Sequence, residues 1–303
     1  MITHKNETYK VVICIPAGRK KYLEVFKKSL YKKIDEGLID GIQLWMNTID
    51  AGDMAYLESM QAENPKVKIY RIGDSIDSLE SGVSGLYDTY NPLKTHKFFA
   101  NAQDDDTIYI RFDDDIIWIE DGAIEKMCRA RIDNPDAFVI YPNIINSTIC
   151  TSWHQEKGVL SEEAGKVKRY DVTQPNYAYL DEFNYTDNRL INHIHNTFRK
   201  NYENGTLDEY YLPSRSLTNY ERFSICSICW FGKQKLQLGY IEEPQISWEL
   251  PIAYGKPNYF VGSALCVHYA YHTQRELLTA QGDIHLEFYK NTKENNGHKD
   301  LIP

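Results

Sequence analysis

The chain switches repeatedly between two hydrophobic periods. Residues 10–16 (KVVICIP) are a run of β-branched and apolar side chains, the composition of a buried strand. Past the turn Ala17-Gly18-Arg19, residues 20–36 place Leu23, Phe26, Leu30 and Ile34 at helical spacing under a basic outer face, and Gly37 is a stop. Residues 42–46 predict a second strand ending in Asn47-Thr48-Ile49-Asp50. Residues 53–62 predict a helix closed by Asn64-Pro65, and residues 67–71 a third strand. Strands that alternate with helices at this spacing imply βαβ units, hence an α/β fold with a mostly parallel sheet.

Residues 73–85, rich in Gly, Ser and Asp, read as a loop over the sheet edge. Residues 86–102 read as a helix whose start Pro92 breaks or kinks. The strand 107–112 runs into Asp113-Asp114-Asp115, and apolar residues 116–119 follow at once. A helix is expected at 121–133, with Ile124, Met127 and Cys128 on one face, then a strand at 137–142. From 143 to 223 the pattern turns polar, aromatic and weakly periodic, with one short helix expected at 187–200. That stretch reads as an insertion covering a site. Strand signal returns at 223–231, a helix is expected within 239–255 through Trp248, and a strand at 259–269. A single helix is expected at 274–288, and the tail after Lys290 is polar.

Three adjacent carboxylates repel one another and are expensive to desolvate together. Between two apolar runs, at the carboxyl end of a strand, they lie where α/β sheets bind ligands. A divalent cation with oxygen ligands is the simplest compensation, and a solvated acidic turn is the alternative. The other strand ends on that edge carry Pro16, Ala17, Gly18, Arg19, Asn47, Asp50 and Arg71. Asp50 suits a uracil or ribose contact, or equally a helix N-cap. No GxGxxG and no GxxxxGK[ST] occurs, so neither a dinucleotide fold nor a P-loop is indicated.

Composition narrows this further. The net charge is −9 with no basic stripe, which argues against a nucleic-acid polymer as partner. No apolar run reaches the length of a membrane span, and the polar start lacks a signal core, so a cytoplasmic location is expected. Six scattered cysteines read as reduced core residues, including the isolated pair Cys226 and Cys229. The 23 tyrosines suit sugar or nucleobase contacts, and also ordinary half-buried positions. His193 and His195 make a metal pair only if they lie on a strand; on a helix they point apart.

Strand-Pro-x-x-Arg, three βα units, the strand-borne Asp113-Asp114-Asp115, a later Glu242-Glu243 ahead of Gly255 and a terminal strand with His268 together resemble GT-A fold glycosyltransferases. The likeness is greatest to the family-2-like group, and it covers most of residues 10–271. The resemblance implies a nucleotide-sugar donor (UDP-, GDP- or dTDP-sugar), Mn2+ or Mg2+, and a glycan or other hydroxyl acceptor. It implies residues 1–145 as the donor half, and 146–290 as the acceptor half with an insertion at 146–223. Residues 291–303 remain as a tail. Asp113 and Asp115 occupy the first and third positions of its Asp-x-Asp motif. Asp113, Asp115 and His268 are then the implied metal ligands, with His272 in reserve, and Asp113 and Asp114 also face the donor. In inverting members a carboxylate activates the acceptor hydroxyl. Glu243 stands in that position, flanked by Glu242 and Glu249, where the family usually has Asp. Trp153-His154 and Tyr177, Tyr179 and Tyr185 are candidates for an acceptor platform, or for ordinary packing. A sugar nucleotidyltransferase and a non-catalytic carbohydrate-binding module remain the rival readings. The short first loop speaks against the former.

Overall fold

A computed structural model describes residues 1–71, 92–167, 170–171, 178–179, 188–239 and 242–292. The first half builds β1 (Ile2–His4), β2 (Glu7–Ala17), α1 (Lys20–Asp35), β3 (Gly41–Met46), α2 (Ala51–Glu63) and β4 (Val67–Tyr70). After a 3₁₀ stretch, Pro92–Asn101, come β5 (Thr107–Phe112), β6 (Ile116–Ile119), α3 (Ala123–Asp133) and β7 (Ile140–Ile145). The second half adds α4 (Thr148–Lys157), a ribbon of β8 (Tyr170–Asp171) and β9 (Ala178–Tyr179), α5 (Asn188–Asn204), β10 (Arg215–Ser216) and β11 (Ser227–Phe231). It closes with α6 (Glu242–Pro244), α7 (Leu250–Tyr254), β12 (Tyr259–His268), α8 (His272–Ala280) and α9 (Ile284–Asn291).

The main sheet runs β10-β12-β7-β11-β5-β2-β3-β4. Strands β4, β3, β2 and β5 are parallel neighbours, and β7 pairs parallel with β12. β11 lies antiparallel between β5 and β7, so those two also point the same way. The chain is an α/β protein with a mostly parallel, helix-flanked sheet. β5 and β7 are buried at every position, as strands covered on both faces must be. The two halves of the sequence share this one sheet, because β11 and β12 fill it around β7.

One turn after β5, the chain doubles back as β6, which leaves the main path and pairs antiparallel with the end of β12. That pairing carries Asp113-Asp114-Asp115 up to His268: Ile116 is the register partner of His268, and Tyr269 N–H donates to the Asp115 carbonyl at 2.8 Å. Two apolar clusters result. The larger lies about the main sheet with α1 and α3. The smaller joins Trp118 of β6, Val267 of β12, and Ile194 and Phe198 of α5 to Leu278, Leu286 and Tyr289 of α8 and α9.

Several expectations need correcting. The weakly periodic stretch carries an unforeseen helix, α4, and α5 runs longer than the short helix expected there. The single terminal helix is two, split at Gln281-Gly282-Asp283, where Gly282 and Asp283 take positive φ. Residues 92–101 are 3₁₀ rather than α-helical. The remainder of that predicted helix and the 73–85 loop lie outside the described residues, as do Tyr177, Tyr185 and the tail from 293. Among the described residues no helix is long and apolar enough to cross a membrane.

Candidate functional site

Gly18 and Arg19 form the whole link between β2 and α1. A side chain at Gly18 would meet the Asn47 carbonyl at 2.9 Å and Thr48 at 3.2 Å, so the β2 and β3 ends approach this closely only because that residue is glycine. Its N–H donates to Asp114 Oδ2 at 2.8 Å. Arg19 Nε donates to Asp114 Oδ1 at 2.7 Å, with Nη2 on the same oxygen, while Nη1 lies 2.9 Å from Asp115 Oδ2. One guanidinium therefore ties the loop to two of the three acids.

Asp114 and Asp115 are both 1 % exposed. Burial raises the Asp114 carboxyl, as does the neighbouring Asp115 charge, and Arg19 works against them. Burial also opposes the charge on Asp115. Arg19, His268 and Arg275 outweigh it and hold that carboxyl well below the usual range. His268 Nε2 and Arg275 Nη2 each lie 3.5 Å from Asp115 Oδ2. Asp115 Oδ1 is buried with no hydrogen-bond partner. His268 Nδ1 is 3.2 Å from the Asn146 carbonyl, which can only accept. Nδ1–H therefore donates to that carbonyl, and Nε2 is the ring nitrogen turned toward Asp115.

Asp113 goes elsewhere. Its side chain is 23 % exposed, and Oδ1 accepts from Arg111 Nε at 3.0 Å and Nη2 at 2.9 Å. Arg111 Nη1 donates to Glu242 Oε2 at 2.5 Å, and Glu242 Oε1 is buried with no partner. Glu243 accepts from Arg222 on Oε1 alone, from Nε at 2.7 Å and Nη2 at 2.6 Å, which leaves Oε2 unbonded. Burial raises both glutamates above the ordinary carboxylate value, countered by Arg111 at Glu242 and by Arg222 at Glu243.

Neither the protein-family models nor the curated proteins match this chain. Function therefore rests on the site's own chemistry.

Asp115 and His268 fit a hard divalent cation: one has an unpaired buried oxygen, and the other would supply its Nε2 nitrogen. The structure does not bring Asp113 to them. Among the described residues no group of three His, Cys, Asp or Glu side chains is placed to hold a metal. A cation here would have Asp115 and His268 as its side-chain ligands among the described residues and would take the rest from other oxygens such as water or substrate, a coordination typical of Mg2+ and its relatives.

Pro16 and Ala17 close β2, and Asn47 is buried at the end of β3 with Nδ2 unpartnered. Asp50 is the N-cap of α2 and accepts from Asp53 N–H at 2.9 Å. Arg71 ends the described β4 edge, paired with Glu58 at 2.8 Å. Glu249 and His272 are exposed. Trp153 is 5 % exposed against Phe223 and Phe260, with Arg215 over its ring, and buried His154 bonds Asn143 at 2.9 Å. Both are packing residues rather than a platform. His193 and His195 lie on α5 with separate partners, Ser161 for one and Tyr289 and Tyr269 for the other. All six cysteines are buried free thiols. Arg111, Arg222 and Arg275 escaped the sequence reading. A lone arginine in a strand, helix or loop carries no periodic or motif signal, and only the fold shows which acid it meets.

Proposed function

We propose that the chain is a glycosyltransferase that moves a sugar from a nucleotide-sugar to a hydroxyl acceptor, with Mn2+ or Mg2+ at Asp115 and His268. One observation carries the reading. At the carboxyl edge of a mostly parallel sheet, Asp115 keeps one buried oxygen, Oδ1, without a partner, and its other oxygen lies 3.5 Å from His268 Nε2. A divalent cation bound there supplies charge neutralisation for a departing diphosphate. Arg19 and Arg275 add fixed positive charge beside the same carboxylate. Glu243 Oε2 takes the proton of the attacking hydroxyl, and its raised carboxyl keeps it basic enough for that task. Attack opposite the leaving group inverts the anomeric centre. Gly18, Asn47, Asp50 and Arg71 line the strand ends available to the nucleoside.

Calorimetric titration with UDP, GDP and dTDP, each with and without Mn2+, tests this. Metal-dependent binding of one nucleoside diphosphate is expected. No binding of any of them with metal present overturns the reading.

A further inference from the structure

The helix after Glu243 is irregular for a readable reason. Between α6 and α7, residues Gln245–Glu249 form a π-helical turn. Pro251 has no N–H, so it leaves both the i−4 carbonyl of Ser247 and the i−5 carbonyl of Ile246 without its bond. Asn258, 1 % exposed, takes over: its Nδ2 donates to each of those carbonyls at 3.0 Å. Its Oδ1 accepts from Val139 N–H at 3.2 Å, and Ser247 Oγ donates to the Phe223 carbonyl at 2.7 Å. The widened turn is thus held from the main sheet.

The widening decides where Trp248 points. In a regular α-helix, residue i+5 is turned about 140° away from residue i. Bonding from i to i+5 takes more residues per turn and returns them toward one face. The Arg222 guanidinium records the result, bonding Glu243 on one side and lying 5.7 Å from the Trp248 ring centroid. Of the five tryptophans, Trp45, Trp118, Trp153 and Trp230 are buried, and only Trp248 is half-buried. Arg222 and Glu243 stay partly open, at 37 % and 30 % side-chain exposure.

We propose that Trp248, Arg222 and Glu243 form the acceptor subsite, and that its ligand is a neutral pyranose ring. The C–H face of a pyranose packs on an indole, and its hydroxyls match a guanidinium donor beside a carboxylate acceptor. The paired charges of Arg222 and Glu243 cancel, which favours an uncharged sugar over a uronic acid or a phosphate. Arg222 is the positioning residue. By donating to Oε1 from both Nε and Nη2, it leaves Oε2 to face the acceptor hydroxyl. The role of Oε2 rests on the transferase reading, whereas sugar binding at Trp248 does not.

The test is 19F NMR of the full chain labelled with 5-fluorotryptophan, with Trp248→Phe assigning the resonance. The protein is titrated with methyl pyranosides of glucose, galactose, mannose, rhamnose and N-acetylglucosamine and with methyl glucuronide. Each titration is run with and without UDP, GDP or dTDP plus Mn2+. The Trp248 resonance is expected to shift saturably with at least one neutral pyranoside and to leave the glucuronide behind. Arg222→Lys is expected to weaken that sugar about three- to tenfold. A Trp248 resonance that no sugar moves overturns the subsite, even if a nucleotide binds. A sugar response with no nucleotide response upholds the subsite and sinks the transferase instead. A response to the glucuronide alone overturns the neutral-ring assignment.

Discussion

Asp113, Asp114 and Asp115 are chemically identical, and their surroundings give them three separate roles. Asp114 is a structural anchor bound by Gly18 and Arg19. Asp115 keeps Oδ1 unbonded while its Oδ2 faces His268, and Asp113 orients Arg111. Asp115→Asn should abolish Mn2+-dependent binding of a nucleoside diphosphate with the far-ultraviolet circular dichroism unchanged. Asp113→Asn should retain that binding within about threefold, because it removes no metal donor. Equal losses in the two variants, measured by calorimetry, would return Asp113 to the metal. Arg19→Ala leaves two buried carboxylates undercompensated and should cost about 3 kcal/mol in urea unfolding. Glu243→Gln should lower turnover by a factor on the order of 10²–10⁴ while donor affinity holds. A loss of donor affinity in place of turnover would remove Glu243 as the base.

At the scale of elements, strands and the early helices were legible where one period dominated. β5 was predicted at its observed limits, and α1 within a residue, because Leu23, Phe26, Leu30 and Ile34 mark its buried stripe. The acid cluster was equally legible, since three carboxylates between apolar runs have few explanations. The division of labour within it was not. It depends on β6 folding back onto β12, a long-range pairing that leaves no local mark. α4 was missed because seven of its ten residues are buried all round, so no polar face revealed a helical period. The break between α8 and α9 turns on positive φ at Gly282 and Asp283, and a single Gly in a polar context is a weak stop. The π turn, by contrast, is written in the chain as Pro251, but its partner Asn258 is visible only in three dimensions. Asn258→Ala strands the carbonyls of Ile246 and Ser247 and should cost about 2 kcal/mol in urea unfolding. A neutral result there would mean that the turn is held without it.

The molecule as a whole also stores acid sensitivity in its smaller core. Burial pushes His195 down to about 3 and His285 to about 4, with the rings 5.0 Å apart. Each imidazole is folded in as the neutral base, so the unfolded chain binds protons first as pH falls below the ordinary histidine value. Their contribution is complete above pH 6.5 and is lost on the way down to the folded values. Asp114, Glu242 and Glu243 have raised carboxyls and act in the opposite direction, so a difference measurement is needed. The stability gap between the wild type and His195→Gln should shrink by about 1–2 kcal/mol from pH 7 to pH 5. A constant gap would show that His195 is not held neutral.

The antiparallel β11 has a consequence for synthesis on the ribosome. Residues 227–231 fill the slot between strands made of residues 107–112 and 140–145. Until they emerge, two strands destined for full burial each present an unpaired backbone edge, the kind of surface that recruits other chains. An elongating chain therefore passes more than eighty residues with its hydrophobic centre unfinished. A gene truncated after residue 223 should give insoluble protein in vivo, and a separately expressed fragment covering residues 224–292 should restore solubility only when both are made together.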